Sequence, residues 1–261
     1  MTVRVIWPDS HGSYADKKAM AAFLSDLKAL DPDEIVMLGD HVDASGKLWA
    51  SHHKLNAIEE IEYSYESDIE ACIGHLNAAQ KNAPRARFHY IEGNHEARIE
   101  KFAANIFGSV KDARGFVNAH GPAAKLGLHE RGIKYYRTFE RYMGLSIPGT
   151  IKIGKCFFVH GITHAQDAGK VHLGRFGANV VFGHVHRVFE TRGRSVEKGG
   201  FGAWSPGCLA ELQPYYRHTT PTDHMHGYAV QFVLPSGRFQ HVNVAIVDGQ
   251  SFMPAMIQAL A

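Results

Sequence analysis

The 261-residue chain predicts an α/β fold, parallel at its start and strand-rich at its end. Three observations carry that expectation. Over roughly the first ninety residues, β-branched and aromatic runs alternate with helical periodicity. Apolar runs stop repeatedly at a glycine beside a histidine, aspartate or asparagine. After His186 helical spacing disappears. With 45% hydrophobic residues, one core is favoured over two, so a single domain over 1–261 is expected.

Val3 to Trp7 is a β-branched and aromatic run stopped by Pro8, hence a strand. Ala15 to Leu30 sets Met20, Phe23, Leu24, Leu27 and Leu30 at the spacing of one helical face. Glu34 to Leu38 is again a strand and closes on Gly39-Asp40-His41-Val42-Asp43, so strand, helix and strand imply a right-handed parallel crossover. Leu55, Ile58, Ile61, Tyr65, Ile69, Cys72, Ile73 and Leu76 step by threes and fours, predicting one long amphipathic helix that ends before Pro84. Arg87 to Ile91 is a strand running into Gly93-Asn94-His95-Glu96, with a helix from Glu96. Pro122 to Glu130 predicts another helix, stopped at Gly132, before an extended Ile133 to Arg137. Cys156 to Val159 and Asn179 to Phe182 are strands that stop at His160-Gly161 and Gly183-His184. Val188 to Arg192, Tyr228 to Leu234 and Phe239 to Val247 follow, the last two joined by Pro235-Ser236-Gly237 as a hairpin.

Composition narrows the function classes. Lys+Arg exceeds Asp+Glu by only 28 to 26, which gives no global pull toward nucleic acid or an anionic membrane. The three cysteines are isolated, which argues against a disulfide framework or a cysteine-rich zinc site and suits a reducing cytoplasm. The start of the chain lacks a signal-peptide pattern and no apolar run reaches the ~20 residues of a membrane span, so no membrane partner is expected. The 18 histidines stand out, and their placement matters more than their number.

Asp9 and His11, Asp40 and Asp43, Asn94 and His95, His160, then His184 and His186 each follow the end of an apolar run. Open α/β sheets build their sites in the crevice at strand carboxyl ends. In an extended VFGHVHR segment, His184 and His186 point the same way while Val185 points away. Carboxylates, a carboxamide and imidazoles without a thiolate suit a divalent ion such as Mn²⁺, Fe or Zn²⁺. Six to eight donors suit two ions better than one. Taken singly, Asp40 and Asn94 also fit Asx turns and His160 a satisfied core histidine; taken together, those readings need five coincidences.

The ordered motifs DSH, GDHVD, GNHE, VHG and GHVH make the chain resemble the calcineurin-like metallophosphoesterases over about Val3 to His186. That resemblance implies a four-layered α/β/β/α sandwich of two mixed sheets, with helical insertions at 44–85 and 97–141 forming a wall beside the site. It implies that Asp9, His11 and His186 hold one metal, that Asn94, His160 and His184 hold the other, and that Asp40 bridges them. The cofactors expected are two divalent ions, Mn²⁺ first, with Fe, Zn²⁺, Ni²⁺ or Co²⁺ as alternatives. Hydroxide formed between the ions would attack phosphorus in line. His95 would protonate the leaving group, oriented by Asp43, and Asn94 and His95 would both face substrate. His41, His52 and His53 are expected to be loop residues; the Asp223-His224-Met225-His226 cluster is the better candidate for a substrate-side contact.

The protein-phosphatase branch of this family reads GDxxDRG, with the arginine on the phosphate, whereas here Asp43 is followed by Ala44. The absent donor argues against a phosphoprotein substrate. A dinuclear phosphodiesterase acting on a small molecule or nucleotide is therefore expected. A DNA or RNA nuclease, a phosphomonoesterase and a non-catalytic scaffold are the alternatives. The segment from Ala97 to Arg141 carries nine basic and four acidic residues, a weak hint of a polymeric anion that the reading as a solvated helical face outweighs. The oligomeric state is not legible.

Overall fold

The computed structural model describes residues 1–48, 62–138, 141–142, 145–146, 149–197, 199–214 and 221–253. β1 (Thr2–Trp7), α1 (Lys17–Leu30), β2 (Glu34–Met37), α2 (Tyr65–Asn82) and β3 (Arg87–Ile91) come first. Next are α3 (Arg98–Ile106), α4 (Val110–His120), α5 (Pro122–Lys125), β4 (Lys134–Tyr136) and a two-strand ribbon, β5 (Arg141–Tyr142) with β6 (Leu145–Ser146). β7 (Thr150–Ile153), β8 (Cys156–Val159), α6 (Ala168–Phe176) and β9 (Asn179–Phe182) follow, then β10 (Val188–Ser195), β11 (Gly199–Pro206), β12 (Gly227–Val233) and β13 (Phe239–Ala245).

The strands form two mixed sheets, ordered β13-β12-β1-β2-β3-β4 and β10-β11-β9-β8-β7. β1, β2, β3 and β4 are mutually parallel, and the β12/β13 hairpin closes antiparallel onto β1. In the second sheet β8, β9 and β11 are parallel, flanked by antiparallel β7 and β10.

Strand alternation builds the layers. Ile6, Val36, Leu38 and Ile91 of the first sheet meet Ile151, Phe158, Val181 and Trp204 of the second, an apolar layer between the sheets. The intervening residues Val5, Trp7, Ile35, Met37, Phe88 and Tyr90 face the other way, onto Phe23 and Leu27 of α1 and Ile69, Cys72 and Leu76 of α2. Val159, Val180 and Phe182 face Ala168, Leu173 and Phe176 of α6. The order is therefore helix, sheet, sheet, helix, the four-layered sandwich expected. The parallel strands β1, β2 and β3 end at the same edge as β8 and β9.

Several element boundaries differ from expectation, each for a local reason. α1 begins at Lys17 because the Asp16 carboxylate caps the N–H groups of Lys18 and Ala19. α2 begins at Tyr65, capped by Ser64, so the long helix expected through Leu55 to Leu76 is interrupted at Tyr63-Ser64; Leu55, Ile58 and Ile61 lie outside the described residues, as do His52 and His53. The helix expected from Glu96 starts at Arg98, because the Glu96 carboxylate is engaged on neighbouring loops. The Pro122–Glu130 helix closes at Lys125 and continues as turns.

Candidate functional site

Five connections following β1, β2, β3, β8 and β9 meet at one end of the two sheets. Their backbones are held together before any side chain acts: the N–H groups of Ser10 and His11 donate to Asp40 O at 3.1 and 2.9 Å. Five of the seven non-glycine residues with positive φ, among those described, lie here: His11, Asp40, Ala44, His184 and His186. Left-handed backbone in such residues costs on the order of 1–3 kcal/mol each, so its concentration at one place marks a geometry that the surrounding structure enforces. A Cβ on Gly93 would collide with Asp40 Oδ1 and N, which explains the glycine where two loops touch.

The backbone also corrects one expectation. β9 ends at Phe182, and His184 (φ 70°) and His186 (φ 55°) sit in a tight turn in which Val185 N donates to Gly183 O at 2.8 Å. The two rings are brought to neighbouring groups of possible ligand atoms through this turn and not through extended alternation. Val185 is buried against β9 and α6.

Asp9, His11 and His186 form one buried group of ligand atoms, Asp40, His160 and the half-buried His184 a second, and His11 is shared with a further group that it makes with Asp43 and His95. Asp9 Oδ2 lies 3.1 Å from His186 Nε2 and accepts from His184 N at 2.9 Å. His11 Nε2 and His186 Nε2 approach to 3.2 Å. In the second group His160 Nε2 is 3.2 Å from both Asp40 Oδ2 and His184 Nδ1, and 2.9 Å from Asn94 Oδ1. Each predicted ligand residue is therefore in one of the two groups or, for Asn94, in contact with one.

This donor set fits divalent cations. Two ring nitrogens that both present lone pairs repel unless a proton or a cation lies between them, and 3.2 Å is about the spacing of two donors on one tetrahedral ion with ~2.0–2.1 Å bonds. The outer nitrogens are turned as ligating imidazoles require: His160 Nδ1 donates to Leu38 O at 3.0 Å, and His11 Nδ1 pairs with Asp43 Oδ1 at 2.8 Å. The concentration of buried acid also acts on the protonation of the rings. Burial alone would lower His160 and His11, but Asp40 raises His160 to about 10 and the hydrogen bond and charge of Asp43 raise His11 to about 9. Burial opposes ionisation of Asp40, yet the charges of His160 and His95 hold it well below the usual carboxylate range. His184 falls to about 4 through burial and the adjacent His160 charge.

His95 and Asp43 flank the first group. His95 Nδ1 lies 2.6 Å from Asp43 O and 3.2 Å from Asp43 Oδ1, and its backbone N–H donates to Asp40 Oδ1 at 2.8 Å. Burial lowers the His95 pKa, opposed by the Asp40 charge and reinforced by His11 and Arg98. Asp43 thus contacts both His95 and His11, the second contact having no counterpart in the sequence expectation. His41 lies in the connection after β2, a loop residue as expected, but a buried one, bonded through Nδ1 to Ser10 Oγ at 2.9 Å and edge-on to Trp7 and Tyr90 beneath the site. His224 stands with its ring 4.6 Å from that of His186, while Asp223 pairs with Arg187 and His226 Nε2 donates to Ala210 O.

Three supporting residues escaped the sequence reading. The buried Glu96 carboxylate accepts from the N–H groups of Asp40, His41, Val42 and Gly93 and from Tyr90 Oη, tying the β2 and β3 connections together. Burial and the Asp40 charge push it up to about 7. Asp68 of α2 accepts from the N–H groups of Ser13, Asp43 and Ala44 and from Tyr63 Oη. Its only sequence signal is a carboxylate four residues before Cys72 on the apolar stripe of α2. Asp68→Ala orphans several buried donors and is expected to lower stability by about 3 kcal/mol in urea unfolding; a loss below about 0.5 kcal/mol would contradict this clamp.

His172 is the third. It stacks on Phe182 at 3.7 Å, accepts from Ile162 N at 3.2 Å and donates to Ala168 O at 2.7 Å, fixing the connection after His160. Burial depresses its pKa from 6.5 to about 4. The unfolded chain therefore binds a proton that the folded chain refuses, so this contribution to stability is complete above pH 6.5 and is lost as the pH falls toward 4. His241, also lowered to about 4, acts in the same sense. His172→Gln is expected to flatten the acid limb of a Tm-against-pH curve; an unaltered limb would contradict it.

Among the described residues no helix is long and apolar enough to cross a membrane. The profile of the calcineurin-like phosphoesterases matches residues 5–188, from β1 to the first residue of β10. A comparison with curated proteins finds no match. Similar solved structures include Vacuolar Protein Sorting 29 from Cryptosporidium parvum, 12% identical over 96% of this chain and 94% of that one, TM-score 0.48. A single mutant of Vps29 from Entamoeba histolytica is 12% identical over 95% of each chain, TM-score 0.45. Yfce, a phosphoesterase from E. coli, is 13% identical over 92% of this chain and 98% of that one, TM-score 0.36.

Proposed function

Because the chain belongs to the calcineurin-like phosphoesterase family, we propose that it hydrolyses phosphodiesters of small molecules or nucleotides at a pair of divalent ions. One observation carries the reading: two largely buried groups of acid and imidazole ligand atoms, Asp9 with His11 and His186 and Asp40 with His160 and His184, stand side by side. Asp9, His11 and His186 would hold one ion, and Asn94, His160 and His184 the other, with Asp40 shared. Manganese is the first candidate, since the donors are oxygen and imidazole. Bound divalent ions supply Lewis acidity, bringing a water's pKa toward neutrality and polarising phosphoryl oxygens.

The chain's own residues do the rest. Asp43 orients His11 and His95, and Glu96 and Asp68 hold the connections that present them. His95 stands on the leaving-group side, with Asn94 next to it on the phosphate. Ala44, where an arginine would grip a phosphomonoester, supports a diester. A reducing cytoplasm suits the three buried free cysteines.

The test compares mono-, di- and cyclic phosphoesters of one leaving group with each metal in turn. Faster turnover of the diesters supports the proposal. Preference for monoesters would replace it with a phosphatase. Turnover confined to single-stranded nucleic acid, with a steep salt slope, would replace it with a nuclease. Inactivity on every ester would replace it with a scaffold role.

A further inference from the structure

On the leaving-group side Ala44 follows Asp43, so the local sequence supplies no permanent cation there. The described structure places one there from another element. Arg98, the first residue of α3, is buried at 6% exposure. Its Nη1 donates to Asp43 O at 2.9 Å, and to Ala44 O at 3.4 Å, the carbonyls of the turn where the protein phosphatases carry their arginine. Its Nη2 lies 2.8 Å from His95 Nε2.

These contacts fix the state of the His95 ring. A carbonyl oxygen only accepts, so Nδ1, 2.6 Å from Asp43 O, carries a proton. A guanidinium only donates, so Nε2 presents its lone pair. A ring protonated at both nitrogens would turn an N–H toward Nη2.

We infer that Arg98 is a positioning residue that holds His95 as the neutral imidazole with its proton on Nδ1, its guanidinium acting through that ring. His95 then stores no proton on Nε2 for the leaving oxygen, which changes the acid role carried over from the family. The dependence of turnover on His95 becomes a dependence on the His95 and Arg98 pair. This inference rests on the phosphoesterase reading for its consequence, and on geometry alone for the state of the ring.

Two measurements separate those parts. Long-range ¹⁵N–¹H correlation of histidine-labelled, metal-free protein at pH 7 reports which ring nitrogen is protonated, with the His95 signals assigned by their loss in His95→Gln. A protonated Nδ1 and bare Nε2 are expected in the wild type, with that preference lost in Arg98→Met. A protonated Nε2 in the wild type would overturn the inference, whether or not the protein turns over any ester.

The second is a double-mutant cycle on the metal-loaded protein. Arg98→Met is expected to lower kcat about tenfold or more, with metal content unchanged and KM within about twofold. In a His95→Ala background the same substitution should change kcat less than about twofold. Arg98→Lys, which keeps the charge and loses the fork, should fold where Arg98→Met does not, and should show the same dependence on His95. An equal loss in both backgrounds would overturn the inference, because Arg98 would then act through the fold or directly on substrate. Absence of any turnover in the wild type would remove the phosphoesterase reading and leave the ring measurement to decide the rest.

Discussion

Asp40→Asn is expected to reduce bound metal from two ions per chain to at most one, and turnover of a chromogenic phosphodiester by about a thousandfold or more. The substitution isolates charge from fold. An asparagine carbonyl can still accept from His95 N, as Asp40 Oδ1 does at 2.8 Å, so the β2 and β3 connections stay joined. What disappears is the carboxylate charge that holds His160 at about 10 and acts on His11. His184→Ala removes a neutral donor from one group only and should lower metal content and turnover together, by less. Metal analysis after exhaustive dialysis, run beside initial rates, reads both effects. Retention of two ions by Asp40→Asn would contradict the shared role of this residue, and loss of metal with full activity would contradict the whole assignment.

His95→Ala should show the opposite pattern. Turnover falls by about 10²–10⁴-fold while both ions stay bound. The ring touches Asp43 and Arg98 and lies edge-on to His11 at 4.4 Å, yet belongs to neither of the two proposed ligand groups. The same metal analysis distinguishes the two classes of variant. Metal loss in His95→Ala would move it among the ligands, and unchanged kcat would remove it from the chemistry.

The legible parts of this protein are those that short-range chemistry specifies. β1, β2, β3, β8 and β9 are apolar runs with abrupt polar ends, and the residues after them could be read without knowledge of their neighbours. The helices α4 and α6 were not anticipated. None of the α4 residues is buried, so nothing selects an apolar stripe there. α6 carries two glycines in nine residues, which weakens helical periodicity. β11 begins Gly-Gly-Phe-Gly and resembles a loop; it is a strand because β10 pairs with it along its whole length and β9 takes its other edge.

The site divides along the same line. Its ligand residues sit in motifs at strand ends, whereas the residues that shape them arrive from elsewhere in the chain. Asp68 reaches the Asp43 turn from α2, Arg98 reaches it from α3, and His172 braces the His160 connection from α6. Nothing local distinguishes these side chains from surface acids, bases and imidazoles until packing brings them there. The left-handed backbone at His184 and His186 was hidden for a related reason, since the GHVH segment has ordinary strand composition and only contacts such as His184 N with Asp9 force the turn.

The central claim is that the five connections create adjoining seats for two divalent ions. An anomalous-difference map from crystals of manganese-saturated protein tests it directly. Two peaks about 3.5–4 Å apart are expected, one among Asp9, His11 and His186, the other among Asn94, His160 and His184, with Asp40 reaching both. A featureless map at those residues, or manganese bound only elsewhere, would contradict it.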